Sequence, residues 1–497
     1  LISILDASLP IIVFVASSIL TVPIIKTIRK SAQGIVIAAC WFIAVFLAAA
    51  VAVANLALKY YSQQAPLPII NLTTASEAYT AFSTAFLIDG VSVYMAVIFT
   101  ALCAVIFMYT FLSVDFKEKL SERYYAVMLI NVGCLIGTAF AGDLLTLFIF
   151  WEATTASSSF LMVYNKTIKS IHATLKYLTM TIMASAFIVY GLSIIYALTG
   201  TLNFWAAKHA LMSLKNKYLL EVAFAFMAAG YSIEAAVVPF HMWLPDAYSA
   251  APAASSAFLS ALVDQGSYYV LLRVLVYILS PPTVLPWTLI FAVLSALTMV
   301  VGNLLALTEK DVKRLVAYLC IADVGYNLVA ITTVTPLGIM GNLFFFFVGG
   351  ITTALSFMAV GIFNRMGLET LEDFSGIGRK MPLTSLAMLL ALFSFIGVPS
   401  LAGFIAKYLV FTSAIEANLS WLAVIGVLTS VIQASYLLRL INYMYGRKTA
   451  VEAKFKEPYK LLVPIFLLAA SIILLGLYPT IILNLLNVIV QQLSLVP

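Results

Sequence analysis

The chain has 497 residues, of which 63% are hydrophobic and 10% charged, with a formal net charge of +6. Soluble domains run at roughly 45–50% apolar and about 25% charged residues, so a mean hydropathy of +1.07 excludes a soluble enzyme, a nucleic-acid binder and a disordered scaffold. A polytopic membrane protein remains, and continuous apolar runs rather than short alternating ones exclude a transmembrane β-barrel.

Fourteen runs approach or exceed the ~20 residues that a helix needs to cross a bilayer. In chain order they are 7–25, 34–58, 87–113, 124–140, 143–164, 171–199, 218–239, 254–279, 285–307, 314–334, 336–364, 382–412, 419–445 and 461–495. The first is followed by Lys26, Arg29 and Lys30 rather than a small-residue cleavage site, so it reads as a span and not as a signal peptide. Spans longer than 25 residues imply tilt or kinks. Two spans carry breakers at depth: Val237-Val238-Pro239-Phe240 in the seventh and Gly397-Val398-Pro399 in the twelfth. Proline removes a backbone donor and clashes with the preceding turn. Breaks five spans apart suggest two structural repeats, spans four to eight and nine to thirteen, a pattern found in transporters, where breaks mark the ion path. The competing reading is a pair of ordinary proline kinks. The expected organisation is an N-terminal block 1–123, a first repeat 124–279, a second repeat 280–445 and a last helix within 446–497.

Loop charge tests the span count. Twenty of the 27 basic residues fall in loops on one side, against Lys59, Lys208, Lys215 and Lys217 on the other; Lys176, Arg273 and Lys407 lie inside spans. Basic loops stay inside, which puts both termini on the outer side. The basic residues are too scattered to track a phosphate backbone, so no nucleic acid is expected. Cys40, Cys103, Cys134 and Cys320 lie in apolar runs without CxxC or Cys/His spacing. They read as small buried hydrophobes, and no haem, iron–sulfur, zinc, flavin or nucleotide motif is present.

Ionisable groups at span depth cost at least about 2.5–3.5 kcal/mol each and are kept for function. The candidates are Glu152 in span five, Lys176 in span six, Glu234 in span seven, Asp264 and Arg273 in span eight, Asp323 in span ten and Lys407 in span twelve. A structural ion pair is the alternative for Glu152, and snorkelling to an interface for Lys176 and Lys407. Arg273 keeps its proton and reads as structural. His241 adjoins the break and is placed either to shuttle protons or to make a structural hydrogen bond; His172 and His209 read as solvated.

Pro239-Phe240-His241-Met242-Trp243-Leu244-Pro245-Asp246-Ala247-Tyr248, followed by Ala251-Pro252, resembles the most characteristic stretch of the antiporter-like subunits. That family includes the large membrane-arm subunits of respiratory complex I, the large subunits of Mrp cation/proton antiporters, and relatives in archaeal membrane-bound hydrogenases and sulfur reductases. Asp89-Gly90, Trp151-Glu152, the stretch 306–321 with Asp311, Lys313, Arg314, Ala317 and Tyr318, and Ala402-Gly403-Phe404 with Lys407 agree in order and spacing.

The resemblance implies an all-α membrane protein of about 14 helices, two inverted five-helix repeats, broken helices seven and twelve, and an ion path along a polar axis. It carries Glu152, Lys176 and Lys407 onto the family's ionisable positions. It implies no cofactor on this chain, with iron–sulfur, flavin or NiFe centres in partner subunits. The partners implied are other membrane subunits, among them a second antiporter-like one; the short tail after the last span suits an internal position beside it. A prokaryotic plasma membrane is the expected location. The departures are acidic. Glu234 stands where the family usually has a lysine, Asp264 near a usual lysine or histidine, Asp323 at a histidine, and Gly349 and Thr353 at a histidine and a lysine. Glu152 would then face Glu234, and two close carboxylates share a proton or bind a cation. The first expectation is translocation of H⁺, with Na⁺ as the second candidate near Glu152, Glu234 or Asp264, since oxygen ligands suit hard cations. The alternative is a non-conducting structural or coupling subunit. A stand-alone transporter of an organic solute is the third.

Overall fold

Apolar segments of this length satisfy their backbone polar groups only internally, and the computed structural model of the chain is accordingly almost all helix. It describes residues 3–29, 31, 33–63, 70–71, 85–214, 217–278, 287–448 and 455–494. Lys30, Lys215 and Lys454, together with residues 279, 285–286 and 495 of the predicted spans, lie outside the described residues.

Six helices open the chain: α1 (Ile4–Ile28), α2 (Gly34–Gln63), α3 (Gly90–Ser113), α4 (Ser121–Phe140), α5 (Leu144–Met162) and α6 (Ile168–Thr199). Before α3, β1 (Ile70–Asn71) pairs antiparallel with β2 (Ala85–Phe86). A short α7 (Phe204–Met212) leads to α8 (Tyr218–Glu234), α9 (Leu244–Ala250), α10 (Ala253–Phe258) and α11 (Asp264–Leu272). The second half holds α12 (Trp287–Thr308), α13 (Val312–Thr333), α14 (Pro336–Asn364), the short α15 (Ile377–Lys380), α16 (Pro382–Ile396), α17 (Ala402–Glu416) and α18 (Ser420–Ile441). The chain ends in α19 (Tyr459–Leu477) and α20 (Thr480–Ser494).

Helix starts are written locally. Ser3, Asp89, Asp143, Thr167, Asp311 and Thr335 each accept a first-turn N–H with the side chain, which satisfies a donor the helix cannot.

Among the described residues, eleven helices are long and apolar enough to cross a membrane. The predicted spans missing from that set are the seventh, eighth and twelfth. The seventh stops short at Glu234, the end of α8, and the chain resumes as α9 only beyond the predicted limit of 239, while the twelfth is divided into α16 and α17, as the prolines imply. The eighth is not a uniform helix: π-helical turns at Leu259–Val263 and Arg273–Ile278 flank α11. The predicted run 461–495 is two helices, α19 and α20, meeting at Pro479, because a proline cannot donate into the turn before it.

The interior is one continuous apolar core, with α13 and α14 almost wholly buried. The loops sort into two ends. At one, Arg29 pairs with Glu122, Tyr164 donates to Glu118, Arg365 donates to Ser113 O, and Arg439 donates to Glu309 O. At the other, Lys59 pairs with Asp6 and Tyr60 donates to Gln492. Both sets agree with the alternation of spans read from the sequence. Cys103, Cys134 and Cys320 are buried, but Cys40 is exposed on the outward face of α2, so three of four cysteines fit the expectation of small buried hydrophobes.

Candidate ion-path site

The twelfth span breaks where its sequence requires. Gly397 takes φ +83° and Ser400 φ +74°, and the Gly397 N–H returns to Phe393 O and Ser394 O. Glycine at such a C-cap carries no Cβ penalty. Four residues after Phe395 stands Pro399, which has no N–H, so the Phe395 carbonyl loses its helical donor. Lys407 Nζ fills that vacancy at 2.7 Å. The same ammonium donates to Gln433 Oε1 (2.5 Å) and Ser430 Oγ (3.3 Å) on α18 and lies 4.5 Å from the Tyr326 ring centroid. Lys407 is buried, and its Nζ is met by two side-chain oxygens, a carbonyl dipole and a π face. It does not snorkel.

The seventh span breaks just after Glu234. Ala236 takes φ +51° and the Val238–Pro239 peptide is cis. The Val237 N–H returns to Ser232 O (2.9 Å), and the Val238 N–H is taken by Thr298 Oγ1 of α12 (3.1 Å). Non-helical backbone at membrane depth needs such partners. Glu234 is buried, its Oε1 without a hydrogen bond. The Trp151 indole N–H faces it without closing a bond. Glu152 is half-buried on α5 and accepts from Ser185 Oγ of α6 at 2.7 Å. The two glutamates lie within electrostatic reach of each other, with Tyr177 and Tyr231 beside both. Among the described residues no lysine, arginine or histidine is bonded to either carboxylate.

Asp264, Asp323 and Lys407 continue the line. Tyr248 of α9 donates to Asp264 Oδ1 at 2.5 Å, while Oδ2 has no partner. Asp264 lies within reach of Asp323, and Asp323 within reach of Lys407. A cavity of about 20 Å³ opens between Asp323 and Lys407, lined also by Gly349, Thr352 and Ser394. That is room for about one water molecule. Gly349 leaves space there, and the Thr353 hydroxyl is turned back onto Gly349 O (2.9 Å).

The predicted residues therefore divide. Glu152, Glu234, Asp264, Asp323 and Lys407 form one buried or half-buried line across both halves, joined between Glu234 and Asp264 by Tyr177, which is within reach of both. Lys176 stands off it, pairing with Asp246 at 2.7 Å at the partly exposed flank of α6. His241 is buried against the Pro239 backbone near Lys176, and neither ring nitrogen closes a hydrogen bond. Arg273 is fully buried and makes a bidentate pair with Asp89 (2.6 Å to each oxygen) while its Nε donates to the Tyr269 hydroxyl (2.6 Å). His172 and His209 are exposed. Sequence reasoning missed Tyr248, Ser185, Gln433 and Tyr326 as neighbours of the line. Two carried a signal: Gln433 as an amide inside an apolar span, and Tyr248 as the last residue of the family-like stretch 239–248.

The family described as NADH:quinone oxidoreductase/Mrp antiporter, transmembrane, matches residues 141–433. The chain belongs to that family. Among relatives of this antiporter-like protein, F(420)H(2) dehydrogenase subunit N of Methanosarcina mazei is 30% identical over 434 residues, covering 83% of this chain and 85% of the relative. NADH-quinone oxidoreductase subunit N of Trichlorobacter lovleyi is 33% identical over 423 residues, covering 82% and 84%. A subunit in the structure of the membrane-bound sulfane sulfur reductase, an archaeal respiratory membrane complex, superposes with a TM-score of 0.87 at 26% identity over 98% of this chain and 97% of its own. These antiporter-like relatives are subunits of multisubunit membrane complexes, and this family member is likewise a multi-pass membrane protein.

Proposed function

We propose that this chain is an ion-translocating subunit of a multisubunit respiratory-type complex, moving H⁺ along Glu152, Glu234, Asp264, Asp323 and Lys407. The observation that carries the reading is the line itself: four buried or half-buried carboxylates and one lysine, spaced across both halves at the two helix breaks. Four acids against one ammonium hold an excess of negative charge that bound protons balance. Hydroxyls of Tyr248 and Ser185 and space for a water beside Lys407 supply relay groups. H⁺ is the cargo favoured here, because a proton needs one oxygen where Na⁺ needs a shell of them; Na⁺ is the second candidate. Lys176 serves as an accessory charge and His241 as an accessory proton shuttle near the first break.

In this reading the chain crosses the membrane fourteen times, the three segmented spans included. Residues 124–279 and 280–445 are two inverted repeats, flanked by 1–123 and 446–497. Both termini face the outer side of a prokaryotic plasma membrane. Electron transfer takes place on iron–sulfur, flavin or NiFe centres of partner subunits, and a second antiporter-like subunit lies alongside.

The test is Glu152→Gln and Lys407→Ala in the intact complex, reading H⁺ and Na⁺ uptake into vesicles. Loss of H⁺ uptake in both, with electron transfer in the partner subunits retained, is the expected result. Undiminished uptake in both would leave the non-conducting, purely coupling subunit as the function.

A further inference from the structure

Helix α9 is only seven residues long, Leu244–Ala250, and helices of that length do not persist alone. Yet it carries Tyr248, whose hydroxyl donates to Asp264 at 2.5 Å. Its position is imposed from outside. Asp246 Oδ2 is held by Lys176 Nζ of α6 at 2.7 Å, and Asp246 Oδ1 by Arg314 Nη2 of α13 at 2.9 Å. The residue beside Arg314, the buried Lys313, donates to Ser249 O (3.2 Å) and to Ala251 O. Those carbonyls close the C-terminal end of α9, where a helix favours a cation. Arg314 is itself steadied by Glu309 (3.3 Å) and by the Tyr318 ring 5.8 Å away. Ser256 Oγ donates to Tyr248 O at 2.7 Å.

Two adjacent residues of the second half thus grip both ends of a short helix whose side chain serves an acid of the first. The Arg314–Asp246 contact is half-exposed, and such pairs add little to stability. A planar guanidinium reaching two carboxylates fixes direction, which is what Tyr248 requires of its helix.

We propose that Lys313, Arg314 and Asp246 form a clasp that sets α9 so that Tyr248 donates to Asp264, making Asp246 and Arg314 positioning residues for transfer along the line. The clasp rests on the reading that the line conducts. It makes the two halves interdependent: a shift of the α12–α13 turn, which carries Glu309, is felt at Asp264 through α9.

The experiment is a double-mutant cycle in the intact complex with Arg314→Gln, Tyr248→Phe and their combination, plus Arg314→Lys. Two quantities are read: the initial rate of H⁺ uptake, and the infrared band of the Asp264 carboxyl, assigned by its loss in Asp264→Asn. Each of the first two variants is expected to slow uptake about tenfold, with the combination no slower than the worse single one. Both are expected to move the Asp264 band to the same place, and Arg314→Lys to keep the native band. Multiplying losses, or a band unmoved by Arg314→Gln while Tyr248→Phe moves it, would overturn the clasp. Should Arg314→Gln fail to assemble, Asp246→Asn, which keeps the side-chain size, takes its place with the same criteria. If Glu152→Gln stops uptake and the clasp variants change nothing, the clasp alone fails. If Glu152→Gln leaves uptake untouched, the conduction reading fails with it.

Discussion

At the scale of single residues, the membrane sorts charges by what holds them. Arg273 and Lys407 are both buried cations, but they differ in kind. Arg273 faces a full carboxylate, Asp89, with two parallel hydrogen bonds at 2.6 Å. A bidentate pair of that geometry is a fastener. Lys407 faces only neutral oxygens and a ring, with Asp323 farther off, an arrangement that lets its charge respond to a neighbour. Removing one partner of a buried pair costs about 3–5 kcal/mol, because the other charge is stranded. Asp89→Ala is therefore expected to lower the thermal stability of the assembled protein by an amount of that order, read as a lower Tm. Replacing Asp89 and Arg273 together by apolar residues should recover most of it. The roles of these residues were legible from the sequence only in part. A lysine eight residues after a proline announces itself. That Pro399 frees the carbonyl which Lys407 binds depends on the backbone turning there.

At the scale of elements, the two broken helices carry the site, and each break is held by a different device. The first is closed by a threonine from the neighbouring α12, the second by its own glycine turn and by Lys407. Close approach decides how much the second can tolerate. A Cβ on Gly403 would sit 1.9 Å from Ser394 O, backbone that cannot move aside without driving α16 and α17 apart. Gly403→Ala is expected to block accumulation of folded protein, checked by the amount recovered in the membrane in a single size-exclusion peak. The comparison is Gly200→Ala. Gly200 has φ +71° and nothing within 4 Å, so only the left-handed backbone is strained, a cost of about 1 kcal/mol, and the protein should still assemble. The sequence located both breaks through their prolines. It could not foresee the π turns around α11, which packing against other helices settles rather than local propensity, whereas the bend in the last run had its local signal in Pro479.

At the scale of the whole molecule, charge in the loops and charge in the core do separate work. The ends of the bundle are joined by the ion pairs Arg29–Glu122 and Lys59–Asp6 and by the hydrogen bond from Arg439 to Glu309 O, between groups that the alternation of spans places on the same side, so a missed span would have split these partners. Orientation across the membrane is tested with impermeant thiol reagents on a Cys40→Ser background. Lys119→Cys, in a basic loop, is expected to react only in inverted vesicles, and Ser213→Cys, at the other end, only in right-side-out ones. The opposite pattern would reverse the assignment of both termini to the outer side.

The sequence alone determined that this protein lives in a bilayer, where its helices run, where two of them break and which few ionisable groups lie at depth. Each of these follows from transfer free energy or backbone chemistry that acts residue by residue. Only the tertiary structure decided which of those groups meet. It drew Glu152, Glu234, Asp264, Asp323 and Lys407 into one line, and set Lys176 and Arg273 apart as ion-pair partners of Asp246 and Asp89. Spacing along a helix fixes a face, but the neighbour that face finds is chosen by how all the helices pack.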